Sequence, residues 1–149
     1  IISKGWAGLC KNIDSTKIYM AGFNPHNKLF PRVAAVVHHG GPGTVYTAAY
    51  AGVPQVIVPH MLDYYYQGAL LDKKGLSPKC INKSKRTSEK LTEAIKVAIS
   101  DTDIIRRNAE LGVELRKADK VGIKMAVETI ENVLNEKRQF SGLNKGSNA

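Results

Sequence analysis

Short runs of continuous apolar residues recur along the first half of the chain, and they predict β-strands. These runs lie at residues 1–3, 17–21, 33–38 and 55–58. A half-exposed strand alternates apolar and polar side chains, whereas a strand covered on both faces does not, so the runs indicate a parallel sheet with helices on both sides. A further run at residues 76–81 predicts a short strand at the edge of that sheet.

A helical segment links the third and fourth predicted strands. Its residues, GTVYTAAYAG, are mostly small or helix-forming; they end at Gly52, and Pro54 follows just beyond. Glycine after the last turn and proline a little further on are usual stop signals for a helix. The strand–helix–strand order predicts the crossover unit of a doubly wound α/β fold.

Downstream, apolar residues recur every three or four positions, which is typical of helices packed on one face. Thr87 or Ser88 can cap the most clearly amphipathic of these segments. We expect helices, in chain order, at residues 63–73, 87–100, 103–118 and 121–136.

One domain is expected over residues 1–137, with a flexible tail at 138–149 that is polar and rich in Gly and Ser. The chain opens on apolar strand residues, with no earlier element to build the sheet around them. We therefore expect the domain to be incomplete at its N-terminus and the natural polypeptide to extend upstream.

Composition adds a charge and excludes some classes of protein. The chain carries 22 Lys and Arg against 13 Asp and Glu, a formal net charge of +9. Such a surface attracts phosphates, although mixed charges along helices are also ordinary for a solvated face. The basic residues are not interleaved with aromatics as nucleic-acid stacking platforms would be, so we expect no nucleic-acid partner.

The location and redox state follow from two further patterns. No apolar run is long enough to span a bilayer, and the first residues lack the pattern of a signal peptide, so a cytoplasmic location is expected. Cys10 and Cys80 are too few for a disulfide framework and have no zinc-ligand spacing with the four histidines. We therefore predict no metal site.

The residues that join the third strand to its helix, VHHGGPGT, are the strongest candidates for a binding site. His38 and His39 stand at the carboxyl end of the strand, where open parallel sheets bind ligands. Glycines let the backbone approach a ligand, and the helix N-terminus offers free N–H groups and partial positive charge. The combination suits a phosphate or diphosphate. It is neither a P-loop nor G-x-G-x-x-G, and an ordinary helix start with a core histidine explains this stretch equally well.

Other strand ends carry polar or aromatic side chains as well. Asp63 follows the fourth strand, where it can accept hydrogen bonds from sugar hydroxyls or cap the next helix. Phe23 and Pro25 follow the second strand and could flank a flat base, and Trp6 follows the first. Core packing explains each aromatic alone. Together at one edge of the sheet, these side chains indicate a binding crevice.

These segments resemble the donor-binding half of the UDP-glycosyltransferase superfamily. The resemblance rests on GW near the start, on FNPHNKLFPRVAAVVHHGGPGT and on AGVPQVIVPHMLDYYYQG, and it covers residues 5 to about 136. It is nearest in character to sterol glucosyltransferases and to bacterial antibiotic and rhamnolipid glycosyltransferases. The 24-residue separation of His39 and Asp63 also matches the plant members.

The resemblance implies a two-domain GT-B fold whose Rossmann-like C-terminal half holds a nucleotide sugar. The family usually has Gln directly after the aspartate, but this chain has Tyr64, which leaves the identity of the sugar open. Carried over by position, the diphosphate would be bound by His39, Gly41, Gly43 and Thr44, the base by Trp6, Phe23, Pro25 and His26, and the sugar by Asp63 and Tyr64.

The implied enzyme is an inverting hexosyltransferase that moves a sugar from a nucleoside diphosphate sugar, expected to be a UDP-sugar, to a hydroxyl of a lipid or small-molecule acceptor. Its base would be a histidine of an N-terminal acceptor-binding domain, so this fragment holds no catalytic residue and is expected to be inactive alone. No cofactor is expected, and a lipid acceptor would bring the enzyme to a membrane surface. The alternative is a non-catalytic nucleotide- or lipid-binding module or regulatory subunit.

Overall fold

The computed structural model describes residues 1–3 and 16–143, with the side chains at 120 and 138–143 excepted. Trp6 and Cys10 lie outside the described residues. In chain order the elements are β1 (Ile2–Ser3), β2 (Met20–Ala21), α1 (His26–Leu29), a 3-10 turn (Phe30–Arg32), β3 (Val36–His38), α2 (Pro42–Ala51), β4 (Gln55–Ile57), α3 (Leu62–Lys73), a second 3-10 turn (Lys83–Lys85), α4 (Ser88–Ser100) and α5 (Thr102–Leu143).

The described strands form two parallel pairs, β1 with β2 and β3 with β4. Helix α2 is the crossover between β3 and β4, so the predicted α/β class with parallel strands is confirmed. The predicted strand at residues 76–81 is wrong. Only the Ile81 N–H reaches β4 there, donating to the carbonyl of Ile57 at 3.0 Å. Pro78 lacks an N–H group and so cannot donate to a strand ladder.

Strand β4 is covered on both faces, as its continuous apolar character predicts. Val56 and Ile57 are each only 1% exposed, and they face different clusters. The Val56 cluster joins β4 to α4, and the Ile57 cluster joins it to α2 and α3. Their other buried members are Ile81, Ala94 and Ala98 for the first cluster, and Val45, Leu71 and Leu76 for the second.

Two predicted helix ends are confirmed. Gly52 ends α2 at φ +76°, in the left-handed region that glycine adopts without strain, and its N–H donates to the carbonyls of Ala48 and Ala49. Thr87 begins α4, because its hydroxyl accepts a hydrogen bond from the Lys90 N–H at 3.3 Å.

Residues 103–118 and 121–136 are helical as predicted, but the predicted break between them is wrong, since α5 runs unbroken from Thr102 to Leu143. Near the predicted break, only Gly122 offers a stop signal. An isolated glycine costs a helix about 1 kcal/mol relative to alanine, which is too little to end it. The predicted domain boundary at 137 therefore falls within α5.

The chain divides into two compact units, Ile1–Gly112 and Val113–Ala149. The first contains the strands, α1 to α4 and the start of α5, where Ile104 and Asn108 are buried. The described part of the second is the remainder of α5, whose apolar side chains are largely exposed. No helix in the described ranges is both long enough and apolar enough to cross a membrane.

Replacing Ile57 with alanine tests the placement of the core. We expect Ile57→Ala to lower the free energy of unfolding by about 2–5 kcal/mol, because it empties a site enclosed by α2 and α3. Ile99→Ala, at a position that is 47% exposed on α4, is the matched control and should cost no more than about 1 kcal/mol. Equal losses in urea unfolding would contradict this description of the core.

Candidate functional site

Strands β3 and β4 end side by side and open on the same edge. His38 is in register with Ile57, and the Val58 N–H donates to the His38 carbonyl at 2.9 Å. The segments that follow, beginning at His39 and Pro59, therefore leave the sheet together. Helix α1 packs against α2 at this edge. The carboxyl ends of these two strands therefore share one edge, and the binding crevice expected there stays a prediction.

The N-terminus of α2 lies at this edge without a side-chain cap among the described residues. Gly41 is the N-cap and Pro42 the first helical residue, and proline has no N–H group there. The N–H groups of Gly43 and Thr44 head the helix, and by position they have no carbonyl partner within it. No atom lies within 4 Å of the place where a Cβ on Gly43 would stand, so the backbone is open to an approaching group.

The imidazole of His39 is solvent-exposed and lies between Gly41 and Tyr64. A Cβ added to Gly41 would come within 2.6 Å of His39 Nε2, so no larger side chain fits at Gly41 unless the imidazole moves. On another side, the Tyr64 ring stands 4.8 Å from the His39 ring, tilted by 59°. His39 is therefore held beside the first turn of α2, with its ring edge next to the helix N-terminus.

Gly40 sets the turn that makes this possible. Its φ of +96° lies in the region that side chains with a Cβ rarely adopt. An added Cβ would also meet Ile57 Cγ2 at 3.0 Å and Tyr64 Cβ at 3.2 Å. Glycine is required here for its backbone conformation and for its size.

His38 points inward, in contrast to its neighbour. Its Nε2 is 2.9 Å from Oε1 of Gln55, and its Nδ1 accepts a hydrogen bond from the Gly40 N–H at 3.1 Å. Gln55 is fully buried and donates from Nε2 to the carbonyl of Val45 at 3.3 Å. Burial lowers the pKa of His38 from 6.5 to about 4 against the opposing effect of the Gln55 hydrogen bond, and the charges of His39 and His26 lower it further.

The predicted sugar residues follow β4. Asp63 is exposed in the first turn of α3, where its charge is favourable toward the helix dipole. The N-cap of α3 is Met61, so the alternative that Asp63 caps this helix is wrong. Tyr64 is half-buried and contacts His39, which places the predicted sugar and diphosphate residues next to each other.

The predicted base residues follow β2. Phe23 is 98% exposed, so it takes no part in core packing. Pro25 is the N-cap of α1, and the His26 ring stacks on Phe30 with centroids 4.6 Å apart. Because α1 packs against α2, this turn stands near the α2 site. Trp6, the fourth predicted base residue, lies outside the described part of the chain.

Two residues of the site were missed from the sequence. Gln55 interrupts an otherwise apolar strand, and that interruption was the available signal. His60 is exposed after β4, and its pKa is lowered first by desolvation and then by the charges of Lys83, Arg86 and His39. These charges make the edge of the sheet electropositive.

A cavity of about 260 Å³ opens beside this edge, between β4 and the start of α4. Its lining is mainly apolar, with Arg86 as its charged member, and it includes none of the predicted donor residues. Over the residues that the structure describes, no group of three or more His, Cys, Asp or Glu side chains is placed to hold a metal ion.

Burial of His38 predicts a pH dependence of stability. Its pKa is lower in the folded chain than the ordinary 6.5, so the unfolded chain binds more protons between about pH 4 and 6.5. The contribution of neutral His38 is therefore complete above pH 6.5 and is lost as the pH falls toward 4. The loss should amount to about 3 kcal/mol, the equivalent of the pKa difference.

His38→Asn removes this titration and keeps an acceptor for the Gly40 N–H. Urea unfolding should show a smaller fall in stability for this variant than for the wild type over that pH range. His60→Ala, which removes an exposed histidine whose pKa is also lowered, should flatten the slope much less than His38→Asn does. An unchanged slope in His38→Asn would show that His38 is not the titrating group.

Comparison with known proteins identifies relatives of this chain. The erythromycin biosynthesis protein CIII-like C-terminal domain family matches residues 9–128. A sterol 3-beta-glucosyltransferase of Pichia angusta is 35% identical over 149 residues, covering 95% of this chain and 11% of that protein. One of Arabidopsis thaliana is 36% identical, covering 86% and 20%. A vancomycin aglycone glucosyltransferase of Amycolatopsis orientalis is 47% identical over 73 residues, covering 48% and 18%. The chain thus spans a fifth or less of the length of these relatives.

Solved structures give the same fold. A spinosyn forosaminyltransferase superposes with a TM-score of 0.66 at 20% identity, covering 71% of this chain and 28% of that one. The SsfS6 glycosyltransferase of a Streptomyces species superposes with a TM-score of 0.56 at 27% identity, covering 67% and 26%. Both are GT-B glycosyltransferases, so the described residues have the fold of part of such an enzyme.

Proposed function

Because this chain belongs to the erythromycin biosynthesis protein CIII-like C-terminal domain family of the UDP-glycosyltransferases, we propose that it is the donor-binding half of a glycosyltransferase. The longer protein transfers a sugar from a nucleoside diphosphate sugar to a hydroxyl group of its acceptor. The observation that carries the proposal is the uncapped N-terminus of α2 with the His39 imidazole beside it.

The diphosphate is assigned to this helix end for three physical reasons. The N–H groups of Gly43 and Thr44 and the helix dipole favour an anion. His39 Nε2 stands beside Gly41, where it can donate a further hydrogen bond to a phosphate oxygen. The open space at Gly43 lets a bulky anion reach the backbone. Lys83 and Arg86 add positive charge near His60 at this edge.

The rest of the donor extends along the same edge. We assign the base to the turn after β2, where Phe23 offers an exposed aromatic face and Pro25 and His26 border it, with Trp6 as a further candidate. The sugar lies toward the start of α3, where the exposed Asp63 carboxylate can accept hydrogen bonds from its hydroxyls. Uracil is the preferred base because the superfamily is one of UDP-glycosyltransferases.

The proposed reaction is an inverting displacement. A base from the acceptor-binding half removes the proton of the acceptor hydroxyl, the oxygen attacks the anomeric carbon, and the bond to the diphosphate breaks. Negative charge grows on the leaving diphosphate, where the α2 N-terminus and His39 stabilise it. These groups supply the electrostatic stabilisation from the protein itself, so no step is assigned to a cofactor or a metal ion.

The acceptor is proposed to be a hydroxyl on a lipid or another apolar small molecule. Support comes from the relatives, whose names describe glucosyl transfer to sterols and to the vancomycin aglycone. A lipid acceptor would require the enzyme to work at the cytoplasmic surface of a membrane as a peripheral protein. The acceptor-binding half upstream would supply that contact.

Substitutions at His39 and Asp63 distinguish binding of the diphosphate from binding of the sugar. His39→Ala should weaken binding of UDP by about 1–3 kcal/mol, the range for hydrogen bonds to charged groups. Asp63→Ala should leave UDP binding unchanged and weaken only UDP-glucose, since the carboxylate faces the sugar. Isothermal titration with both ligands measures the difference.

Asp72→Ala, an exposed aspartate near the other end of α3, is the matched control and should change neither affinity. Equal losses for UDP and UDP-glucose in Asp63→Ala, with folding intact, would place the sugar elsewhere. Unchanged UDP binding in His39→Ala would remove the diphosphate from this helix end.

Substitution of Tyr64 tests whether a residue assigned to the sugar also affects the binding of UDP. Because its ring packs on His39, Tyr64→Gln should weaken UDP itself by about 0.5–1.5 kcal/mol, the usual worth of an aromatic pair. Tyr64→Phe keeps the ring and should retain wild-type affinity. Tyr66→Gln, at an exposed position of the same helix, is the control. A tighter UDP complex in Tyr64→Gln would mean that Tyr64 obstructs the site.

A further inference from the structure

A chain of three hydrogen bonds, two of them part-buried and one buried, runs beneath the proposed diphosphate site. It starts at the Gly40 N–H, passes through His38 and Gln55, and ends at the carbonyl of Val45. Gly40 belongs to the turn before α2, and Val45 lies at the end of its first turn. Gln55 belongs to the neighbouring strand β4. The three bonds therefore connect both sides of the α2 N-terminus to the first residue of β4.

The direction of each bond is determined by the first. The Gly40 N–H can only donate, so His38 Nδ1 must be the acceptor and carry no proton. The neutral ring then holds its proton on Nε2 and donates it to Gln55 Oε1. That orients the amide of Gln55 with its NH2 group toward the Val45 carbonyl. One tautomer and one amide orientation satisfy all three contacts.

Gln55 cannot itself touch a ligand, because it is fully buried in β4 beside Val56 and Ile57. Burial of a polar amide and an imidazole is unfavourable unless every group is paired, and an apolar pair of similar volume would pack there at lower cost. The polar pair does what an apolar pair cannot: it holds a turn and a helix at defined positions by directional bonds.

We propose that Gln55 is a positioning residue for the diphosphate site. Through His38 it holds the Gly40 turn, and through Val45 it holds the first turn of α2. The N–H groups of Gly43 and Thr44, and the imidazole of His39, are thereby arranged before the ligand arrives. The inference rests on the proposed function, since it takes the α2 N-terminus as the diphosphate site.

The physical advantage is a lower cost of ordering on binding. A glycine-rich turn is intrinsically mobile, and a ligand that must order it spends part of its interaction free energy on that step. Donors that are already aimed at the developing charge on a leaving group need no reorganisation during the reaction. Loss of the Gln55 bonds should therefore loosen the turn and weaken the ligand without removing any contact to it.

Three substitutions in the full polypeptide each remove a different subset of these hydrogen bonds. Gln55→Leu removes the two bonds made by the amide. His38→Asn keeps an acceptor near the position of Nδ1 for the Gly40 N–H but loses the link to Gln55. His38→Gln retains a polar group near the position of Nε2 but loses the Gly40 bond. The readouts are the dissociation constant for UDP and the hydrogen exchange rate of the Gly40 amide.

Asn108→Leu is the matched control for loss of a buried amide. Asn108 is fully buried in α5, and its Nδ2 donates to the carbonyls of Leu76 and Ile104, away from the α2 N-terminus. Its replacement should lower global stability and leave both the UDP affinity and the exchange rate at Gly40 at their wild-type values when these are measured on the folded protein.

We expect Gln55→Leu to raise the UDP dissociation constant about tenfold and to speed exchange at Gly40 by a similar factor. His38→Gln should match it in both, whereas His38→Asn should keep the slow exchange at Gly40 and lose less affinity. If Gln55→Leu does not fold, the contrast between the two His38 variants carries the test alone.

Two results would overturn the proposal. One is wild-type UDP affinity and wild-type exchange in a folded Gln55→Leu, or in both His38 variants. The other is an equal effect in Asn108→Leu, which would make Gln55 an ordinary contributor to stability. In either case a loss of UDP binding in His39→Ala would leave the proposed function standing. If His39→Ala binds UDP normally, the function fails, and the exchange at Gly40 still decides whether Gln55 holds the turn.

Discussion

The close approach of the backbone at Gly40 to the core of the sheet is the constraint on which the rest of this site depends. A Cβ at Gly40 would contact both Ile57, a core residue of β4, and Tyr64, in the first turn of α3. The backbone therefore passes from β3 into α2 pressed against two other elements. Packing at Ile57 and geometry at the α2 N-terminus therefore depend on each other. A change to the core at this point also moves the proposed ligand donors.

The two adjacent histidines have different roles because their side chains point in opposite directions. His38 is turned into the protein, where burial keeps it neutral and its hydrogen bonds are made to Gly40 and Gln55. His39 is turned outward, between Gly41 and Tyr64. A neutral histidine below the site keeps an unprotonated Nδ1 that accepts the hydrogen bond of the Gly40 N–H, which a protonated ring could not do. An exposed histidine above it remains free to donate to a phosphate.

The chain spans less than a third of the length of its curated relatives, and the site is open to solvent, as expected of a half-site. Phe23 is almost fully exposed, and Met61 and Leu62 are also exposed near the start of α3. Apolar side chains around a polar crevice favour a site that is completed by another part of the protein. The proposed acceptor-binding half would cover them, and it would also supply the base for the reaction.

Features set by neighbours in the chain could be predicted from the sequence alone. They include the crossover between β3 and β4, the end of α2 at Gly52 and the cap of α4 at Thr87, because glycine stops, hydroxyl caps and apolar runs act over a few residues. The motif residues His39, Gly41, Gly43 and Thr44 could be proposed as site residues in the same way, since they are contiguous with a strand end and a helix start.

Tertiary structure alone decided which histidine faces the crevice, what Gln55 bonds to and where Tyr64 packs. Each of these depends on a contact across many residues, such as that between Gln55 and His38 or between Tyr64 and His39, and local pattern carries no distance information. The failed strand at residues 76–81 and the unbroken α5 have a related cause. Their local signals were weak, so the pairing and hydrogen bonding of the folded chain determined the outcome.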